Sequence, residues 1–178
     1  MANPAVEKGF QPTGVMYGTM PFSKDADQAV AVYRGDVMSM DDDGNAITAT
    51  AGLTQLIGSA MGTVSSNSYA QKALLPASTA GTVLATWHVS QEYTVLMSAA
   101  TTPTQTMIGN NFDHVATAGN STTGNSKHRL NGADASGSAA AGFRLLDYVL
   151  APELDESAVS PICRVEINEH FLKTTTGI

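Results

Sequence analysis

The chain has little of what most secreted, nucleic-acid-binding or catalytic proteins need. Its single cysteine, Cys163, excludes an internal disulfide. The chain has nine Lys and Arg residues and 16 Asp and Glu residues, which gives a net charge of −7. The basic residues are scattered along the sequence, and their closest cluster is Lys127-His128-Arg129. Because phosphate neutralisation drives nucleic-acid binding, we expect no nucleic-acid partner.

Long apolar runs are also missing. No stretch has the roughly 20 apolar residues that a membrane-spanning helix needs, so we expect no membrane partner. The first ten residues lack the basic segment and apolar core of a signal peptide, which predicts synthesis and retention in the cytosol.

Charged residues make up only 14% of the chain, against roughly 25% in ordinary soluble domains. Ala, Thr, Ser and Gly take their place. A surface poor in Lys and Glu loses less side-chain entropy when another subunit covers it, which favours docking onto other proteins. Methionine is frequent, and its flexible side chain serves either to fill a core or to form an adaptable contact surface. The methionines in question are Met16, Met20, Met38, Met40, Met61, Met97 and Met107.

Short β-prone runs separated by turn residues predict an all-β fold, a small barrel or sandwich of short antiparallel strands. Asp43-Gly44 between two such runs predicts a hairpin. The alternation of Val83, Ala85 and Trp87 predicts a strand that buries Trp87. The predicted strands are 29–33, 36–40, 46–50, 56–60, 82–89, 93–97, 143–150 and 162–168, with a turn over 152–161.

The ends of the chain differ from its middle. Residues 1–13 contain Pro4, Pro12 and one aromatic residue, Phe10, and predict an extended arm that is either disordered or tied down on a neighbouring subunit. Residues 14–178 predict a single β-rich domain. Within it, residues 98–142 are rich in Ala, Thr, Gly and Ser and predict a long, compact loop region with one strand near 127–130.

No reactive constellation stands out. The run Asp41–Asn45 lacks the glycine and glutamate spacing of a calcium-binding hand, so a solvated hairpin turn is the better interpretation. Cys163 alternates with Val165 and Ile167 and is expected to be a buried apolar residue. The four histidines share no metal-ligand spacing. The sequence therefore predicts no catalytic residue, no metal site and no cofactor, and the chain is not expected to be an enzyme. These histidines are His88, His114, His128 and His170.

The order of motifs resembles the head decoration, or cement, proteins of tailed bacteriophages, especially those of marine and cyanobacterial viruses. The segments that carry the resemblance are the arm ending in Gly9-Phe10-Gln11-Pro12, then Gly35-Asp36-Val37 with its hairpin, Ala51-Gly52-Leu53, Ile57-Gly58-Ser59-Ala60, the stretch 108–113, and Val165 to His170.

The resemblance implies a structural virion protein that binds the outside of an icosahedral capsid, often as a homotrimer, and fastens adjacent major capsid protein subunits. Phe10 and Pro12 are then the expected contacts of the arm with the capsid. An acidic chain suits an outer surface better than a lumen that faces DNA. The alternative is a tail-associated or receptor-binding module that recognises glycans, which would need exposed aromatic residues.

Overall fold

The computed structural model describes residues 8–53, 55–66, 70–98, 104–133, 141–149 and 161–173. These residues form an all-β protein, as expected, and its named sheets pair their strands antiparallel. Strands are numbered in chain order. The first sheet has five strands in the order β1 (Gln11–Thr13), β9 (Glu92–Leu96), β14 (Ile162–Ile167), β13 (Phe143–Tyr148) and β10 (Asn111–Phe112).

The second sheet also has five strands, and neither sheet closes on itself in the described part of the chain. The sandwich form of the prediction therefore holds and the closed barrel does not. The second sheet has the order β2 (Thr19–Lys24), β8 (Gly81–Thr86), β6 (Leu56–Ser65), β4 (Val37–Met40) and β5 (Ala46–Thr48). Two small pairs add β3 (Val32–Tyr33) with β7 (Leu74–Leu75), and β11 (His114–Val115) with β12 (Arg129–Leu130).

Two hydrophobic cores lie on opposite faces of the second sheet. Val37 of β4 and Leu56 of β6 belong to the core shared with the first sheet. Their neighbours Met38 and Ile57 belong to the other core. Successive side chains of a strand point to opposite faces, so β4 and β6 fill both cores at once and join the two halves.

Residues 8–13 are part of the folded body, which corrects the expected arm over its described portion; residues 1–7 lie outside the described residues. Strand β1 pairs with β9, with Pro12 opposite Tyr93. The Phe10 amide donates to the Gly35 carbonyl oxygen at 2.9 Å, and the Ser59 hydroxyl donates to the Phe10 carbonyl oxygen at 2.6 Å. These backbone groups find their partners within the chain, so the segment is tied to its own subunit.

The expected loop region 98–142 packs more tightly than its composition suggested. Its described residues include a 3-10 turn, Gln105–Met107, and the strands β10, β11 and β12. Strand β12 is the one expected near 127–130, whereas β10 and β11 were missed because two-residue strands leave no alternation to detect. Phe112 and Leu130 from this region are fully buried in the first core.

Several predicted strands are confirmed with altered ends. The β4–β5 hairpin forms around Gly44, which has a φ of 82°. Strand β6 runs on to Ser65, whereas only Val32–Tyr33 of the expected strand 29–33 pairs with another strand. Strand β8 ends at Thr86, so Trp87 lies beyond it and is half-buried, which corrects the expected burial. The turn expected over 152–161 lies almost wholly outside the described residues.

Candidate protein-binding surface

An exposed apolar segment, residues 14–21, joins the edge strand β1 of the first sheet to the edge strand β2 of the second. We call it the strap. Val15 is 68% exposed, Met16 55%, Met20 45% and Tyr17 42%. From Thr13 to Ser23 the chain carries no charged side chain. Contiguous exposed apolar surface is uncommon on isolated soluble proteins and marks sites of interaction.

The strap is held in place by one buried amide and one aromatic stack. The Gln91 side-chain Nε2 donates to the carbonyl oxygens of Thr13 at 3.0 Å and Glu92 at 2.9 Å. The Gln91 Oε1 accepts from the Tyr17 backbone N–H at 3.4 Å. The Tyr17 ring stacks on His88 with ring centroids 3.9 Å apart and planes 11° apart. The strap is therefore positioned before any partner arrives, which lowers the entropy lost on binding.

Prolines hinder the adjoining strand edges from pairing with another chain. Pro12 lies in β1 and Pro21 lies in β2, and each lacks the backbone N–H that an added strand would need. A partner at this place is therefore expected to bind mainly through side chains. The strap offers thioether, aromatic and β-branched groups for that contact, and methionine and tyrosine are both enriched at protein interfaces.

The methionines divide between the two roles expected of them. Met38, Met97 and Met107 are buried in the cores, whereas Met16 and Met20 are exposed on the strap. Met20 shares a strand face with the buried Phe22, because alternate residues of β2 point the same way. The apolar face of the second core thus continues outward into the strap.

The two residues expected to contact a capsid fare differently. Phe10 is 1% exposed and stacks on Phe143 with ring centroids 4.5 Å apart, so it belongs to the first core and cannot serve as an arm contact; this part of the prediction is wrong. An aromatic side chain in a polar segment more often marks the point where that segment enters the core. Pro12 is half-buried at the edge next to the strap, and its role stays a prediction.

Two of the four histidines meet in the interior, beside a buried carboxylate. The rings of His114 and His128 stack with centroids 5.4 Å apart. The His128 Nδ1 accepts from the Val37 backbone N–H at 3.2 Å, so its proton sits on Nε2, 3.4 Å from Asp36 Oδ1. The His114 Nε2 lies 3.0 Å from the Ala49 carbonyl oxygen and donates to it. Nothing in the sequence spacing pointed to this group.

Burial controls the titration of this group. It raises the pKa of Asp36 to about 6. Hydrogen bonds from the Ser126 side chain and the Tyr33 backbone lower this pKa, but their effect is smaller than that of burial. Burial, reinforced by the charge that His114 would carry, lowers the pKa of His128 to about 3. At neutral pH His128 is therefore neutral and Asp36 is ionised. Both nitrogens of His128 face fixed protein groups, so the ring has no free position from which to activate a nucleophile.

Cys163 is buried, as expected, and burial raises the pKa of its thiol to about 12, which leaves it in the unreactive protonated form. The acidic run Asp41–Asn45 forms the hairpin turn, with Asp41 Oδ1 accepting from the backbone N–H groups of Asp43 and Asn45. Within the described ranges, no three His, Cys, Asp or Glu side chains are grouped so as to hold a metal ion.

In the part of the chain that the structure describes, no helix has the length and apolar character to cross a membrane. No protein-family model, curated protein or solved structure matches the chain. The strap is the feature of the described surface that offers most to a partner, and the function has to be argued from its chemistry.

Proposed function

We propose that the chain is a structural, non-catalytic virion protein that docks through the strap onto the outer surface of an assembled capsid and fastens adjacent major capsid protein subunits. The observation that carries the proposal is the strap itself, which exposes Val15, Met16, Tyr17 and Met20 within eight consecutive residues. An isolated soluble protein gains nothing from such exposure, whereas a protein that spends its life bound gains binding energy from it.

The composition supports a docked, repeated subunit. The low charged fraction reduces the side-chain entropy lost when the surface is covered. Many copies on one shell bind neighbouring subunits together, so each contact can be modest while the assembly is firm. A net charge of −7 is suited to the outside of a particle filled with nucleic acid. The order of sequence motifs resembles that of phage decoration proteins, which adds to this support.

One observation favours the second candidate, a tail-associated or receptor-binding module for glycans. Tyr17 stacks on His88, whose ring lies 6.1 Å from that of the half-buried Trp87 in an edge-to-face arrangement. Exposed aromatic rings are the usual platforms for sugar rings. The amide that a sugar would need, Gln91, is however 1% exposed and engaged with the backbone, which makes the strap better suited to a protein than to a glycan.

The test is co-sedimentation of the purified chain with shells that lack it. We expect saturable binding, and we expect Tyr17→Ala to weaken it about 10- to 100-fold, the usual range for truncating an aromatic anchor. Val15→Ser should weaken it about 3- to 10-fold. The matched control is Val30→Ser, the same change at a residue of similar exposure, 58% against 68%, that lies beyond the far end of β2.

The two valine variants separate specific docking from general stickiness. Equal loss of binding at both positions, or no loss at either, would overturn the strap as the docking site. Absence of wild-type binding to shells, together with saturable binding to cell-surface glycans, would replace the proposal by the second candidate.

A further inference from the structure

Residues that are scattered in the sequence bring positive charge to one place on the surface. Three segments meet at Arg34: its N–H donates to the carbonyl oxygens of Ala73 at 2.8 Å and Gly124 at 3.0 Å, and its carbonyl accepts from the Ser126 N–H at 2.9 Å. Its guanidinium donates to the Asn125 side chain at 2.9 Å. Four of the nine basic residues lie in or beside these segments. They form the basic end: Arg34, Lys72 and Lys127, with Lys8 next to Gly35.

The side chains of the basic end point outward where the alternation can be followed. Ser126 and His128 are buried, and Lys127 between them is only half-buried. Arg34 and Lys72 are exposed. The carboxylate beneath them, Asp36, is 1% exposed and faces His128. The surface that a partner meets here is therefore positive, although the chain as a whole is acidic.

An acidic end lies around the β4–β5 turn. The Asn45 amide donates to Asp25 at 2.8 Å, and the Gln28 amide donates to Asp41 at 3.2 Å, which brings two acidic segments together. The basic residue nearby, Lys24, is 2% exposed and donates to three backbone carbonyl oxygens. Its charge offsets part of the charge of Asp25 and Asp27, and Asp41, Asp42 and Asp43 keep the surface acidic. The acidic end consists of Asp25, Asp27, Asp41, Asp42 and Asp43.

The two ends lie at opposite ends of strand β4. Arg34 comes shortly before Val37, where the strand begins, and Asp41 follows Met40, where it ends. A strand rises about 3.3 Å per residue, so the four-residue strand alone separates them by about 13 Å. The basic end and the acidic end are therefore separate surfaces of the same copy.

We propose that copies of this chain associate head to tail, with the basic end of one copy docked on the acidic end of the next. The pairing is heterologous, because each copy contributes a different surface to the contact. A second copy of the chain is the expected partner because of charge complementarity: each copy has one basic end and one acidic end, so the two complementary surfaces are always present in equal numbers. The proposal stands apart from the shell-docking proposal, because it is tested with the chain alone and concerns a different surface.

The contact should depend strongly on salt. Exposed charges interact over a Debye length of about 30 Å at 0.01 M salt and about 3 Å at 1 M. In sedimentation equilibrium of the full chain, we expect a weight-average mass above that of the monomer at low salt. Raising the salt over that range should weaken the association by about 10-fold or more.

Two variants test each end separately. Lys72→Glu with Lys127→Glu removes most of the net charge of the basic end, and Asp42→Lys with Asp43→Lys removes most of the net charge of the acidic end. Alone, each variant should lose association about 10-fold or more, with an unchanged thermal midpoint as the check on folding. Mixed together, they retain one intact pair of ends and should form a one-to-one dimer that does not grow further with concentration.

The mixture is the deciding measurement. A dimer in the mixture but not with either variant alone supports the head-to-tail contact. Monomeric wild type at low salt, association that only one of the two variants loses, or a mixture that stays monomeric would overturn it. In the second of these cases, binding of an acidic peptide or of RNA to the wild-type basic end would identify a different occupant.

Discussion

The interface between the two sheets and the strap are opposites in their chemistry. Between the sheets, the Tyr93 and Thr86 hydroxyls share a hydrogen bond of 2.7 Å, and the Thr86 oxygen accepts from the Ser59 backbone N–H at 2.9 Å. All three residues are buried. On the strap, apolar side chains such as Val15 and Met16 are exposed.

The difference separates structural residues from candidate functional ones. A buried polar group is tolerated when a partner satisfies it, and this network satisfies its members within the chain. Its work is finished once the chain has folded. An exposed apolar group, by contrast, gains its full benefit only when another surface removes it from water. We therefore expect changes between the sheets to alter stability and changes on the strap to alter binding.

The largest effect on stability is expected from Gly35→Ala. Gly35 has a φ of 95°, and a Cβ there would lie 2.0 Å from the Lys8 carbonyl oxygen and 2.9 Å from the Gln11 side chain. Left-handed backbone and overlap with fixed atoms should together lower the free energy of unfolding by about 3–5 kcal/mol. Chemical denaturation at pH 7.5 measures the change.

The control for Gly35→Ala is Gly44→Ala in the β4–β5 turn. Gly44 has a similar φ of 82°, but a Cβ there would meet no atom of the described residues within 4 Å. The cost there should be limited to the backbone conformation, about 1 kcal/mol. If both substitutions lowered the free energy of unfolding equally, residues 8–13 would be able to move away from the added Cβ at Gly35. The packing around Gly35 would then not be rigid, and the difference between the interior and the strap would be smaller than proposed.

The next largest effect is a loss of stability in acid. Burial lowers the pKa of His128 to about 3, that of His170 to about 4, and that of His114 below its usual value. Between about pH 6.5 and 4 the unfolded chain therefore binds protons that the folded chain does not, and stability falls as the pH is lowered. Asp36, with its pKa raised to about 6, acts in the opposite direction and offsets about one of these protons.

His128 and His170, offset by Asp36, leave a difference of about one bound proton between the unfolded and the folded chain, and His114 adds to it in the same direction. We therefore expect the free energy of unfolding to fall by roughly 1–3 kcal/mol between pH 6.5 and 4.5, measured by denaturation at a series of pH values. His128→Gln should make the free energy of unfolding less dependent on pH, by the contribution of about one bound proton. The control Val15→Ser adds and removes no titratable group and should leave the slope unchanged. A wild-type stability that is flat over this range would show that the buried histidines open to solvent.

A smaller effect is expected from the hydroxyl pair between the sheets. Tyr93→Phe and Thr86→Val each remove one partner of the 2.7 Å hydrogen bond and should each lower the free energy of unfolding by about 1–2 kcal/mol. The double variant removes both partners and should cost less than the sum of the two. Strict additivity in this double-mutant cycle would mean that the two hydroxyls do not depend on each other.

The alternation of the longer strands made the fold class predictable. Strands β9 and β14 bury every second residue, such as Tyr93 and Val95, or Cys163 and Val165, and a period of two is visible in the sequence alone. The β4–β5 turn was equally visible from Asp43-Gly44. The short strands β10 and β11 and the burial of Phe10 were not, because they depend on contacts between residues far apart in the sequence.

The candidate surfaces were harder to predict, for the same reason. From the sequence, the methionines of the strap could belong either to a core or to a contact surface. Met16 and Met20 are exposed because they lie at the edges of the two sheets, and the sequence alone does not show where those edges are. The basic end is made of residues from separate segments, so Arg34 and Lys72 become neighbours only after β3 has paired with β7. Composition can give the net charge of a chain but not where that charge gathers.

The smallest effect on stability is expected on the strap. Val15→Ser and Met16→Ser remove exposed apolar groups, so each should change the free energy of unfolding by less than about 0.5 kcal/mol, measured by the same denaturation experiment. Tyr17→Ala should cost slightly more, because its ring stacks on His88. A loss of more than about 1 kcal/mol at Val15 would mean that the strap supports the fold, and the contrast with the interior would disappear. Unchanged stability together with weakened shell binding would instead show that these exposed side chains act in docking and not in folding.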